Sequence, residues 1–169
     1  MYKRQDLKPQ PAINDLKNLI SGVESDEFKS RIFLSIGEIY LSINNSENAY
    51  QYLNKGANLS KNRLLREEVY FQIAEISFEN NDFDKALDSY QKVLSNTISI
   101  TRIQESNLKI VQIYRLRGEL EKSANIIQDL LVDEDFNSIK ADLDLELIKI
   151  EFERGKICLL YTSDAADEE

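Results

Sequence analysis

Residues of matching size and polarity recur every 37 positions along this chain, and that period constrains the fold more than any other feature. Ile36, Ile73, Ile110 and Leu147 fall in register, as do Gly37, Ala74, Val111 and Ile148, then Ile39, Ile76, Ile113 and Ile150. Asn44, Asn81, Gly118 and Gly155 form a second aligned set, followed by Ala49, Ala86 and Ser123 and by Leu53, Tyr90 and Ile127. A repeat of this length is one supersecondary unit that cannot bury its own apolar face, so copies must stack to make a continuous core. The expected class of function is recognition of a macromolecule on a stacked helical surface.

Within the second unit, Tyr70, Ile73, Ala74 and Ser77 lie at i, i+3, i+4 and i+7, the apolar stripe of an amphipathic helix. The polar stretch Glu79-Asn80-Asn81-Asp82 ends it, with Asn81 suited to a left-handed position after the helix and Asp82 to the next N-cap. A second stripe follows in Phe83, Ala86, Leu87, Tyr90, Val93 and Leu94, which makes the unit a helix hairpin. The first unit repeats the plan from Phe33 to Ala57, the third from Ile110 to Leu131, and a fourth starts at Leu147. Ahead of them, Ala12, Leu16, Leu19 and Ile20 sit one period before Ala49, Leu53, Gly56 and Ala57, as in a second helix without its first.

The segment "YFQIAEISFENNDFDKALDSYQKVL", Tyr70 to Leu94, resembles the tetratricopeptide repeat, and the likeness extends over most of residues 10 to 157. The chain departs from the family pattern in having no Trp, in placing Ser77 where a second aromatic is usual, and in closing no unit with Pro. Its period also exceeds the family's usual ~34 residues, and the polar joints near residues 60–62, 95–101 and 133–138 are the expected place for the surplus. The resemblance implies an all-α, right-handed α-solenoid of antiparallel helix hairpins. Its boundaries are a half unit at 6–29, repeats at 30–66, 67–103 and 104–140, and a first helix at 141–157. Residues 1–5 and 158–169 fit neither the period nor the stripes; they read as translated sequencing adapter and are set aside as non-native. On that reading the array continued beyond both ends.

Composition removes several classes of chemistry. The chain has no His and no Trp, and its one cysteine, Cys158, lies in the tail. The usual zinc ligand sets and the His- or Cys-based nucleophile arrangements are therefore missing, and no catalytic residue, metal site or cofactor is expected. Pairs such as Asp82 and Asp84 are explained by helix capping. With 21 Lys and Arg against 30 Asp and Glu, the net charge is −9, which disfavours nonspecific binding of nucleic acid. No apolar run approaches the roughly 20 residues of a membrane helix. A soluble location in cytoplasm or periplasm is expected, with no choice between them.

Each first helix also carries a second face. It comprises Leu34, Glu38 and Leu41, then Phe71, Glu75 and Phe78, then Leu108, Gln112 and Arg115, continued by Leu145, Lys149 and Phe152. In the tetratricopeptide family this face lines a concave groove, which implies a protein or peptide partner, with Glu38 and Glu75 favouring a basic residue. The other reading is that these side chains pack neighbouring first helices together. The family's carboxylate clamp of Lys, Arg and Asn is absent, because Leu34, Glu38, Phe71 and Glu75 occupy its positions. The expected role is thus a noncatalytic protein- or peptide-binding scaffold. A regulatory arm of a multidomain enzyme or sensor, and a bacterial envelope assembly scaffold, are the alternatives.

Overall fold

Three turns set the architecture. Asn44, Asn81 and Gly118 adopt positive φ values of 57°, 59° and 76°, the left-handed conformation that Asn and Gly tolerate best. At each turn the next residue's N–H reaches back five positions: Asn45 donates to Tyr40, Asp82 to Ser77 and Glu119 to Tyr114, each at 2.9 Å. These paired bonds satisfy carbonyls that the helix end leaves open, and the side chains of Asn45 and Asp82 then cap the helix that follows. The sequence expectation for Asn81 and Asp82 therefore matches the local geometry.

The computed structural model describes residues 9–166, and side chains as far as residue 155. The described residues form α1 (Pro9–Ile20), α2 (Asp26–Ser42), α3 (Ser46–Leu59), α4 (Arg63–Glu79), α5 (Phe83–Asn96), α6 (Ile100–Leu116), α7 (Leu120–Leu131), a 3-10 helix (Glu134–Ile139) and α8 (Lys140–Ala166). No strand occurs among them, and the fold is the all-α helical-repeat solenoid expected. Residues 1–5, read as adapter, lie outside the described residues, whereas the backbone of α8 stays helical through residues 158–166.

A 17-residue first helix, a three-residue turn, a 14-residue second helix and a three-residue joint make up one period in α2–α3 and again in α4–α5. The joints at 60–62 and 97–99 are thus short, and the surplus lies in the long first helices rather than in the joints. After α7 the connection is longer, and there the 3-10 helix buries Phe136. The basic run Lys61-Asn62-Arg63-Leu64-Leu65-Arg66 closes helix ends. Arg66 Nη1 donates to the Ser60 carbonyl at 2.8 Å, Arg63 Nη2 to the Thr97 carbonyl at 3.1 Å, and Arg63 Nε to the Asn96 carbonyl.

The chain divides into two compact units, Met1–Thr97 and Ile98–Glu169. In the first, α2 and α3 approach so closely that a Cβ on Gly37 would stand 2.6 Å from Leu53 Cγ, and one on Gly56 2.6 Å from Leu34 Cδ2. The Ser30 hydroxyl uses that proximity, donating to the Gly56 carbonyl at 2.7 Å inside the core. Leu34, Leu53, Ala57, Val69, Tyr70, Ile73 and Val93 form one cluster there, and Ile13, Ile32, Ile36, Tyr40 and Ala49 a second. In α1 the buried stripe runs through Ile13 with Leu16 and Ile20, while Ala12 and Leu19, also expected in the core, are exposed. Those two match Ala49 and Gly56, which face their own first helix, and no such helix precedes α1 among the described residues.

The second unit is built on Val111, Leu120, Ala124, Ile127, Phe136, Leu143 and Ile150. Gly155, the fourth aligned turn position, lies inside α8 and forms no turn. A left-handed break sacrifices helical bonds that only a docked returning helix would offset, and none follows among the described residues.

Candidate functional site

The second-face residues meet different fates. Leu34 is buried against Gly56 and belongs to the core. Phe71 is half-buried, its ring edge-on to Tyr90 at 6.1 Å, and Phe78 sits 6.2 Å from Phe83. Glu38 is exposed. Leu41 and Glu75 come together on a groove of about 630 Å³.

That groove is formed by the end of α2, the turn after it and one face of α4. Leu41 and Ile76 supply its apolar surface, and Glu68, Gln72, Glu75 and Glu79 its polar one. The last four are spaced as one helical face, so a stripe of carboxylates runs along α4. No Lys or Arg lines the groove among the described residues. Tyr90, fully buried, donates its hydroxyl to Glu75 Oε1 and fixes that carboxylate from beneath. Glu79 ends α4, where the helix dipole disfavours a negative charge, so its position gains nothing for the helix. Glu68, Gln72, Ile76 and Glu79 line the groove without belonging to the second face read from the repeat, because that face was traced along the apolar stripe beside them.

In the second unit the corresponding face is bonded to itself. Glu146, 3% exposed, accepts from Arg115 Nε at 2.8 Å, from Lys149 Nζ at 2.6 Å and from Gln112 Nε2 at 3.3 Å. A second arm of Arg115 reaches Glu153 at 2.7 Å. Burial alone would raise the Glu146 carboxyl, but the hydrogen bonds from Lys149 and Arg115 outweigh it and hold the group below its ordinary value. Burial likewise opposes the charge on Arg115, and its two carboxylate partners leave that guanidinium raised. Leu108 packs half-buried against the core of this unit. Glu146 carries no repeat signature, and nothing in the spacing pointed to it.

Among the described residues no group of His, Cys, Asp or Glu is placed to hold a metal ion, and no helix is long and apolar enough to cross a membrane.

No curated protein matches the chain. Two solved structures of MamA are similar in fold. One is 16% identical with a TM-score of 0.52, covering 92% of this chain and 94% of that one. The other is 18% identical with the same TM-score of 0.52, covering 91% and 88%. The family model for the tetratricopeptide repeat matches residues 30–63 and 67–96. Those two matches fall on the hairpins α2–α3 and α4–α5, so these two hairpins are tetratricopeptide repeats.

Proposed function

We propose that the chain is a noncatalytic protein-interaction scaffold whose first unit binds a basic peptide segment in the groove between the end of α2 and α4. One observation carries this reading: Glu68, Glu75 and Glu79 line the groove beside Leu41 and Ile76. A Lys- or Arg-bearing segment would find carboxylates spaced along one helix and apolar surface between them, the combination that gives orientation as well as affinity. A partner's acidic terminus would be repelled. Neutralising Glu68 and Glu79 should cost the fold little, since Glu79 opposes its own helix dipole and Glu68 is exposed.

The test is a fluorescence-anisotropy titration with a short capped peptide of Lys and Arg around one central Leu. Binding should weaken steeply as salt rises. Replacing Glu68 and Glu79 together by Gln should lower affinity about tenfold at low salt and flatten the salt dependence. Affinity unchanged by the double replacement would overturn the proposal.

A further inference from the structure

Positions 40, 77 and 114 are equivalent in the repeat and hold Tyr, Ser and Tyr. Each is buried, with the two tyrosines 8% exposed and Ser77 6%. In the first hairpin the Tyr40 ring fills the junction with α1, packing with Ile13, Ile36 and Ala49 and stacking on Tyr52 at 5.5 Å. The corresponding junction between α2–α3 and α4–α5 has only the Ser77 hydroxymethyl in that place, and a pocket of about 270 Å³ opens there. The space that the Tyr40 ring fills in the first junction is thus open in the second.

The pocket has an apolar base and a polar mouth. Leu41, Leu53, Ile73 and Ile76 supply the base. At the mouth, Lys85 Nζ pairs with Asp82 at 2.7 Å and with Glu47 at 3.1 Å while lying 5.2 Å over the Tyr50 ring. Asn80 Nδ2 donates to Ser46 Oγ at 3.3 Å across the same junction. These contacts tie the start of α3 to the end of α4 and the start of α5, and hold the opening between the two repeats. Leu41, Ser46, Ile76 and Asn80 line both this pocket and the acidic groove, so the two spaces share a wall and adjoin.

We infer that this pocket at Ser77 receives one aliphatic side chain, of Leu or Met size, from the basic segment that lies in the groove. The inference rests on the basic-peptide reading above and adds the anchor that sets its specificity. Charge selects the segment: two carboxylates against one ammonium at the mouth, and the exposed Glu79 in the adjoining groove, favour Lys or Arg on either side of the anchor. Desolvation of the apolar base selects the anchor.

The experiment compares two capped peptides of Lys and Arg that differ only in a central Leu or Ala, against wild type, Ser77→Phe and Ser77→Ala. Wild type and Ser77→Ala should prefer the Leu peptide at least tenfold. Ser77→Phe, whose ring would occupy the pocket as Tyr40 does in the neighbouring junction, should bind the two peptides equally and melt no lower than wild type. Equal binding of both peptides by wild type would overturn the inference while leaving the groove reading intact. Failure of wild type to bind either peptide at low salt would overturn both. Should Ser77→Phe melt well below wild type, a wild-type titration with Ala, Val, Leu, Met and Trp at the central position decides instead. Affinity rising to Leu or Met and falling at Trp supports the pocket, and a flat series contradicts it.

Discussion

The same helical face is used in opposite ways in the two units. On α4, Glu68, Glu75 and Glu79 line an open groove beside a pocket left by Ser77. On α6 and α8, Gln112 and Lys149, which align with Glu75 in the repeat, both bond to the buried Glu146, and Arg115, which aligns with Phe78, clamps Glu146 and Glu153. The repeat therefore preserves helix placement and core positions but leaves the second face free to differ, lining an open groove in one copy and bonding to itself in another. A carboxylate taken into the fold must be paired, because the cost of its burial is met only by good partners. Exposed carboxylates such as Glu68 and Glu79 pay no such burial cost, and replacing those two should cost little.

The largest expected effect breaks the pairing in the second unit. Glu146→Ala should cost about 3 kcal/mol of unfolding free energy, near the low end for an orphaned buried pair, because Arg115 keeps Glu153 and Lys149 is partly exposed. Denaturant unfolding measures it. The Glu146 carboxyl is held below its unfolded value, so its contribution is present above the ordinary carboxylate pKa and lost as pH falls through the lower folded value. The gap between wild type and Glu146→Gln should accordingly narrow as pH drops below about 4.5. A gap that widens in acid would contradict the pairing.

A smaller effect is expected where the first unit is tightest. In Gly56→Ala the new methyl would meet Leu34 Cδ2 at 2.6 Å and the Ser30 carbonyl oxygen at 3.0 Å. The leucine can yield but the α2 backbone cannot. Overpacking of this kind, partly offset by the better helix propensity of Ala, should destabilise by about 1–2 kcal/mol. A stabilised Gly56→Ala would mean that the two helices are not held at this spacing.

The hairpins were legible because their signals are local: Asn81 before Asp82, or Gly118 after a helical stripe, favours a turn, although Gly155 inside α8 shows that the signal alone does not make one. The division of the second face was not legible, because it depends on partners distant in sequence. Leu34 reads as a groove residue until Gly56, 22 positions later, is found to admit its side chain into the core. Glu146 looks like any exposed helical glutamate until Arg115 is brought across from α6. Ser77 was noticed as a departure from the family pattern, but only the packing of Tyr40 in the equivalent junction shows that the departure opens a pocket. The expectation that the surplus length lies in the joints fails at 60–62 and 97–99 for a related reason: helix ends are set by caps such as Asn62 and Ser99, which lie deep in the polar joints and leave them only three residues each.

The contrast between the two faces is tested most directly by mapping a bound peptide. With uniformly labelled protein and the capped Lys/Arg peptide bearing a central Leu, amide chemical shifts should move for residues on the groove side of α4, at the end of α2 and around Ser77. Those of α6 and α8 near Glu146 should stay in place. Shifts concentrated around Gln112, Arg115 and Lys149, with the α4 face silent, would contradict the account.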